Sequence, residues 1–313
     1  MPSIESKLSG KPPLVVVLGP TAVGKTEISI QLAERLHGEI VSADSRLFYR
    51  GMDIGTAKPT LTEQARVPHH LLDVTDPDQI WGLAEYQRAA HQVITAIHAR
   101  ERLPFMVGGT GQYVRAVTED WQIPPVAPDR QLREALERWA ASIGPDGLHT
   151  RLALVDPQAA AQIDYHNLRR TVRALEVIFT TGKRFSEQRL KGTSPYQLFL
   201  LGLTRPRGEL YACIDARIET MFDQGLIGEV QQLLNKGYDP SLPPLSAIGY
   251  SEAIAFIQGR ITIEQAKESM KRRTRLFVRR QANWFKAEDI HIHWFTAGST
   301  KLDEIESAIR FWL

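Results

Sequence analysis

The chain has 313 residues, 43% of them hydrophobic and 24% charged, and its 38 basic and 36 acidic residues leave a formal net charge of +2. Its single cysteine excludes a disulfide framework and a cysteine-ligated zinc site, and its apolar runs are too short to span a membrane. We therefore expect a cytoplasmic protein without a membrane partner, and the near-neutral charge alone gives no reason to expect nucleic acid.

The amino-terminal part of the chain alternates strands with helices. An apolar run at 14–18 predicts a strand buried on both faces, followed by a helix that ends at Gly38. A second strand at 39–42, a helix over 83–100 and a third strand at 103–107 continue the alternation. Strands that alternate with helices indicate a parallel sheet with helices on its faces.

The pattern changes after a proline-rich break near residue 125. Residues 129–190 have helical patterns throughout, with weak stops near 144 and 182, and strand character returns at 197–203. The remaining predicted elements are helices at 206–235 and 249–286, a strand at 291–295 and a helix at 301–312.

A phosphate-binding loop follows the first strand. It matches the pattern G-x-x-x-x-G-K-[ST] directly after a buried strand and at the start of a helix, the context that confirms the motif. Its amides, the helix N-terminus and Lys25 attract a di- or triphosphate, and Thr26 is the candidate Mg²⁺ ligand. The candidate diphosphate-binding residues are Gly19, Pro20, Thr21, Ala22, Val23, Gly24, Lys25 and Thr26.

These elements predict an α/β fold, a P-loop NTPase-like parallel sheet core with an all-helical insertion domain. We assign residues 1–123 and 195–313 to the core, with basic helices near its carboxyl end, and residues 124–194 to the insertion. An NTPase usually has a Walker-B acid at the end of a later buried strand, but the strand at 103–107 runs into Gly-Gly-Thr. Transfer chemistry is therefore favoured over hydrolysis.

A carboxylate follows the second strand. Asp44 lies 19 residues after Lys25, where the carboxyl ends of strands border the ligand crevice of an open α/β sheet. It can act there as a general base on an incoming nucleophile. A turn-forming role is an equally common use of the Asp-Ser pair, and its position alone does not separate the two interpretations.

Further segments resemble one protein family. They are Ser-Ala-Asp-Ser at 42–45, Tyr-Arg-Gly-Met-Asp-Ile-Gly-Thr-Ala-Lys-Pro at 49–59, and the segments at 68–73, 107–113, 173–177, 248–250 and 280–284. The chain resembles the tRNA dimethylallyltransferases, also called tRNA isopentenyltransferases or IPP transferases, over nearly its whole length. Because it lacks the cysteines of a zinc finger, the chain resembles the bacterial or organellar form of this family.

The resemblance implies a reaction and its participants. A dimethylallyl group passes from dimethylallyl diphosphate to N6 of adenosine 37, in the anticodon stem-loop of tRNA, with Mg²⁺ as cofactor and pyrophosphate as product. The catalytic residues that the resemblance implies are Asp44 as general base, Thr110 near the pyrophosphate and the base, and Arg217 on the pyrophosphate. We expect a monomer, and whether nucleotides such as ATP also bind the loop stays open.

The resemblance also implies positions that contact tRNA. They are Asp44, Ser45, Arg46, Leu47, Thr110, Arg133, Arg169, Arg170, Thr171, Val172, Arg173, Ser246, Ala247, Ile248, Gly249, Tyr250 and Ser251. The sequence departs from the family pattern at Ser251 and Met221, where family members often have basic residues.

Positive charge is concentrated in two stretches. Six of the ten residues at 271–280 are basic, and Arg272, Arg275 and Arg279 share one helical face. Residues 165–191 have seven basic and two acidic residues. A solvated basic face is the simpler explanation for one such stretch, but two of them, together with the resemblance, predict contact with the phosphates of tRNA.

Two other functions remain open at this point. A P-loop kinase of a nucleoside or small metabolite accounts for the phosphate loop and Asp44, but not for residues 52–59 or the basic stretches. A non-catalytic RNA-binding module would use the loop only to sense a nucleotide.

Overall fold

Six parallel strands form one sheet among the residues that the structure describes. The computed structural model describes residues 10–79, 81–124, 129–188 and 192–313. The strands are β1 (Pro13–Leu18), β2 (Gly38–Ser42), β3 (His69–His70), β4 (Leu103–Val107), β5 (Gln197–Thr204) and β6 (Ile292–Thr296). They pair in the order β3-β2-β4-β1-β5-β6, and each neighbouring pair is parallel. The predicted α/β fold class is confirmed, and the five predicted strands agree with the structure to within one residue at each end.

Helices cover much of the remaining described chain. They are α1 (Lys25–Arg35), α2 (Leu61–Arg66), α3 (Leu83–Ala99), α4 (Gly111–Thr118), α5 (Arg130–Val155), α6 (Pro157–Gln162), α7 (Leu168–Thr181), α8 (Phe185–Gln188), α9 (Arg207–Asp223), α10 (Leu226–Asn235), α11 (Tyr250–Ile257), α12 (Ile263–Gln281) and α13 (Leu302–Trp312). Among the described residues, none of these helices combines the length and the hydropathy that crossing a bilayer requires.

Two of the predicted helices are divided in the structure. The pattern over 206–235 belongs to α9 and α10, because Gly225 adopts a left-handed φ of 97° and the chain changes direction there. The pattern over 249–286 belongs to α11 and α12, since Thr262 caps a new helix with its side chain. Apolar periodicity continues through both interruptions, so it does not reveal them.

The chain divides into two compact units, residues 1–118 with 194–313 and residues 119–193. The second unit is helical and has its own apolar core, in which Leu148 and Leu152 of α5 pack with Leu175 of α7. Inside α5, at one predicted stop, Gly144 has a non-helical φ of 80°. Residues 125–128 of the predicted proline-rich break lie outside the described residues.

In the first unit, the packing of β1 explains its continuous apolar sequence. Its side chains alternate between two hydrophobic clusters, with Val15 and Val17 in one and Val16 and Leu18 in the other. Both faces of the sheet are therefore covered, as parallel sheets require. Since β1 lies between β4 and β5, with β2 beyond β4, the segments that follow β1, β2 and β4 meet at one edge.

Candidate active site

The phosphate loop joins β1 to α1 at this edge. Lys25 opens α1, and its Nζ donates hydrogen bonds to the carbonyl oxygens of Gly19 and Pro20, at 3.0 and 2.8 Å. The lysine thus lies over the loop formed by the residues that the sequence motif identifies. The N-terminal dipole of α1 and this ammonium group favour an anion at the same place.

Asp44 shares the electrostatic environment of two cations. Burial lowers the pKa of Lys25 to about 8, while the charge of Asp44 acts to raise this pKa and the charge of Arg217 acts to lower it further. Burial also lowers the pKa of Arg217, and Asp44 again acts in the opposite direction. The structure therefore brings together an acid after β2, the lysine of the phosphate loop and an arginine of α9.

The loops after β2 and β4 are joined beside Asp44. The Ser45 amide donates to Thr110 Oγ1 at 3.5 Å, and the Arg46 amide donates to Asp44 Oδ1 at 3.0 Å. Asp44 therefore does form a local turn, as the simpler interpretation predicts. That turn occupies Oδ1, and among the described residues no hydrogen bond is found for Oδ2. A turn and a base role are compatible because they use different oxygens.

A cleft of about 610 Å³ opens beside Thr26 and Arg217. Its other walls come from the loop over residues 53–60, from α2 and from α9. Ile54 and Met221 make part of the lining apolar. The lining also has carboxylates at Asp53, Glu63 and Asp73, so an anionic group fits best at the end of the cleft beside Thr26 and Arg217. The sequence alone does not reveal this lining.

Glu229 of α10 holds the loop that lines this cleft. Its Oε2 accepts hydrogen bonds from the amides of Asp53 and Ile54, at 2.9 and 2.7 Å, and its Oε1 accepts from the Gly55 amide at 3.1 Å. Tyr250 Oη donates to Oε1 at 2.6 Å. Sequence reasoning missed Glu229, since nothing in its local pattern distinguishes it from an exposed helical glutamate.

Gln281, the last residue of α12, is a second residue that sequence reasoning did not assign a role. Its buried side chain accepts a hydrogen bond from the Thr21 amide at 2.9 Å and donates to the Gly109 carbonyl at 3.1 Å. The phosphate loop and the loop after β4 are therefore joined through one amide group. The only sequence signal was its place in the family-like segment at 280–284.

The basic face predicted on α12 is not uniform. Arg272 and Arg279 are exposed. Arg275 is half-buried, contacts both carboxylate oxygens of Asp215 at 2.6 and 2.7 Å, and lies over the ring of Tyr211. The periodicity correctly places all three arginines on one side, but Asp215 offsets the charge of Arg275.

In the helical unit, the buried carboxylate of Glu176 holds two of the predicted arginines. Arg133 contacts both oxygens, at 2.9 and 3.0 Å, and Arg173 donates to Oε2 at 2.6 Å. Burial by itself raises the pKa of Glu176, but the hydrogen bonds from these arginines and from the Asp129 amide together outweigh burial and hold the pKa below its usual value. Arg169 and Arg170 are exposed.

Several other predicted tRNA-contacting positions have buried side chains. Thr171 and Val172 lie in the core of the helical unit, and Ala247 and Tyr250 are buried in the first unit. These side chains are enclosed by their own unit, and contact of these positions with tRNA stays a prediction. Arg46 and Ser246 are exposed and remain candidates.

Comparison with known proteins identifies the family that this chain resembles. A family model described as IPP transferase matches residues 47–288. A tRNA dimethylallyltransferase of Roseiflexus sp. (strain RS-1) is 54% identical over 274 residues, which cover 88% of this chain and 90% of the relative. One from Thermomicrobium roseum is 47% identical over 279 residues, covering 89% and 85%.

Solved structures agree with these sequence matches. The full-length tRNA isopentenylpyrophosphate transferase from Bacillus halodurans is 42% identical, with a TM-score of 0.72, and the match covers 96% of this chain and 97% of that one. A eukaryotic dimethylallyltransferase acting on tRNA is 27% identical, with a TM-score of 0.78, and the match covers 96% and 77%. The similarity thus extends through both units.

Proposed function

Since the chain belongs to the IPP transferase family and has tRNA dimethylallyltransferase function, we propose that it moves a dimethylallyl group from dimethylallyl diphosphate to N6 of adenosine 37 of tRNA. The observation that carries this proposal is the meeting of Asp44, Lys25 and Arg217 at the edge of the sheet. A general base and two cations at one place suit an attack that releases an anionic leaving group.

Asp44 is the general base in this proposal. The exocyclic amine of adenine is a weak nucleophile because its lone pair is delocalised into the ring. A carboxylate that accepts an N6 proton during attack assists the reaction. Asp44 Oδ2 is suited to this role, and the Thr110 hydroxyl lies beside the same turn. Because the carboxylate lies at the protein's crevice, we expect the adenine to leave its stack in the anticodon loop.

The phosphate loop stabilises the leaving group. As the new N6–carbon bond forms, the bond between the allylic carbon and the diphosphate oxygen breaks, and its electron pair remains on the pyrophosphate. The loop amides, Lys25 and Arg217 stabilise that charge, and such donors typically contribute a few kcal/mol each. Lys25 exchanges its bonds to the carbonyl oxygens of Gly19 and Pro20 for bonds to phosphate.

Mg²⁺ is the cofactor that we propose. No group of three or more His, Cys, Asp or Glu side chains placed to hold a metal occurs within the described residues. Mg²⁺ commonly uses substrate phosphates and water beside few protein ligands, and it prefers oxygen. Thr26 fits this need, since it lies in the first turn of α1 and lines the cleft. When bound, the ion would neutralise part of the diphosphate charge.

The donor and the tRNA use different surfaces in this proposal. The dimethylallyl tail fits the apolar part of the cleft near Ile54 and Met221. The tRNA backbone meets the exposed arginines of α12 and, in the helical unit, Arg169 and Arg170. We further propose that the protein acts as a monomer in the cytoplasm, where tRNA is its substrate.

Transfer of label tests the proposal. The protein is incubated with Mg²⁺, labelled dimethylallyl diphosphate and an unmodified tRNA transcript that has adenosine at position 37. A second transcript has guanosine there. Label in the first transcript alone is expected. Transfer or hydrolysis of the γ-phosphate of ATP, with no label in tRNA, would instead support the kinase alternative, which leaves the basic surfaces unexplained.

The role of Asp44 has its own test. Asp44→Asn should lower kcat by about 10²- to 10⁴-fold, the usual contribution of a general base, with little change in tRNA affinity. Asp223→Asn, at an exposed carboxylate at the end of α9, is the matched control and should stay active. Turnover by Asp44→Asn close to the unmodified protein would remove Asp44 as the base.

A further inference from the structure

Gln281 connects three parts of the first unit. It is 6% exposed and lies at the end of α12, the helix with the exposed arginines. Its Oε1 accepts from the Thr21 amide in the phosphate loop, and its Nε2 donates to the Gly109 carbonyl in the loop before Thr110. Each polar atom of the side chain therefore has one partner, and the two partners lie on different loops of the active site.

The segment after Gln281 is anchored to the same region. Arg115 of α4 donates to the Trp284 carbonyl at 2.7 Å. A Cβ placed on Gly111 would lie 2.3 Å from the Trp284 side chain, and one placed on Gly109 would lie 2.4 Å from Gln281 Nε2. The two glycines allow the end of α12 to lie directly against the loop after β4. The position of Gln281 relative to Gly109 is thus set partly by the packing of the segment after α12 against α4, and the Gly19 carbonyl of the phosphate loop also lies close to Gly109.

We propose that Gln281 is a positioning residue that sets the distance between the phosphate loop and the loop after β4. In the proposed function, the phosphate loop binds the diphosphate of the prenyl donor. The loop after β4 contains Thr110, which accepts a hydrogen bond from the Ser45 amide beside Asp44. Attack requires the base, the acceptor nitrogen and the allylic carbon to be aligned, and a misplacement of about 1 Å can cost about 10²-fold in rate. This inference rests on the proposed function.

The geometry also predicts which kinetic constant responds. The Thr21 amide donates its hydrogen bond to Gln281. Loss of the Gln281 side chain therefore takes no hydrogen-bond donor away from the diphosphate. Lys25 and Arg217 remain in place to bind the diphosphate. We therefore expect kcat to fall while the KM for dimethylallyl diphosphate stays nearly constant, as when an interaction acts only in the transition state.

Two substitutions test the inference. Gln281→Met keeps the side-chain length and removes both hydrogen bonds, and Gln281→Asn keeps the amide but is too short to reach both partners. Each should lower kcat by about 10- to 100-fold, with a KM for dimethylallyl diphosphate within about threefold of the unmodified protein. Gln232→Met, on the exposed face of α10, is the matched control and should change neither constant.

Thermal melting of each variant separates positioning from folding. Melting temperatures close to that of the unmodified protein, together with a reduced kcat, support the inference. A kcat within about twofold of the unmodified protein, a change in KM alone, or a loss of kcat that follows a lowered melting temperature would overturn it. If the unmodified protein puts no label into tRNA, the proposed function fails instead, so the two failures are distinct.

Discussion

Replacing Glu229 by Gln should release the loop that lines the active-site cleft. The carboxylate of Glu229 accepts four hydrogen bonds, three from consecutive amides at Asp53, Ile54 and Gly55 and one from Tyr250. A glutamine has one acceptor oxygen in place of two. If this oxygen faces Asp53 and Ile54, the new amino group faces the Gly55 amide, which is also a donor.

The magnitude follows from these contacts. An amide left without an acceptor costs about 1–3 kcal/mol, and the two remaining amide bonds lose the roughly twofold strength that a charged acceptor supplies. The sum is about 3 kcal/mol, which corresponds to about a 10²-fold increase in local opening. Tyr250→Phe removes one of the four bonds and should increase opening by only about tenfold.

Amide hydrogen exchange measures this opening directly. Exchange at residues 53–55 should accelerate by about 10²-fold in Glu229→Gln and by about tenfold in Tyr250→Phe. Exchange in the buried strands should stay unchanged. Glu268→Gln, at a carboxylate with a 74% exposed side chain, is the matched control. Equal exchange at residues 53–55 in Glu229→Gln and in the control would show that Glu229 does not hold this loop in place.

Three further predictions concern charge and close packing. The pKa of Glu176 is lowered in the folded protein, so its ion pairs stabilise the helical unit at pH values above the unfolded glutamate pKa of about 4.3. This stability is lost as the pH falls through the lower pKa of the folded protein. The melting temperatures of the unmodified protein and of Glu176→Gln should therefore converge in acid. Neutral replacement of Arg272 and Arg279 should weaken tRNA binding and reduce its salt dependence, by about one phosphate contact for each arginine; an unchanged slope in a salt titration would contradict this. Gly111→Ala would place a Cβ 2.3 Å from the Trp284 side chain. The displacement of Trp284 that this forces should lower the transferase rate. Activity equal to that of the unmodified protein would show that this close packing is not needed for transfer.

Much of the fold was predictable because it depends on local patterns. A strand buried on both faces needs a continuous apolar run, and β1 and β4 have such runs. A phosphate loop needs its glycines and its lysine within eight residues, so the motif is complete in the sequence. The position of Asp44 was predictable for a related reason, since the acid that follows a strand of a parallel sheet lies at the ligand edge; its role as general base stays a proposal.

The interruptions and exceptions were less predictable. Apolar periodicity records which face of a helix is buried, but it is the same on both sides of Gly225, where one predicted helix becomes two. It also does not distinguish a free arginine from a paired one. Arg275 lies on the predicted basic face, but Asp215, 60 residues earlier, offsets its charge.

The sequence by itself thus determined five of the six strands of the sheet, the phosphate loop, the acid after β2 and the family. Only the tertiary structure decided which residues hold these parts in position. Gln281 meets Thr21 across 260 residues of chain, and Glu229 meets Asp53 across 176. The physical reason is that a hydrogen bond depends on where two groups lie in space, whereas spacing in a sequence describes only neighbours on one helix, strand or loop. A buried glutamine or a clamping glutamate can be identified only when the fold brings its partners to it.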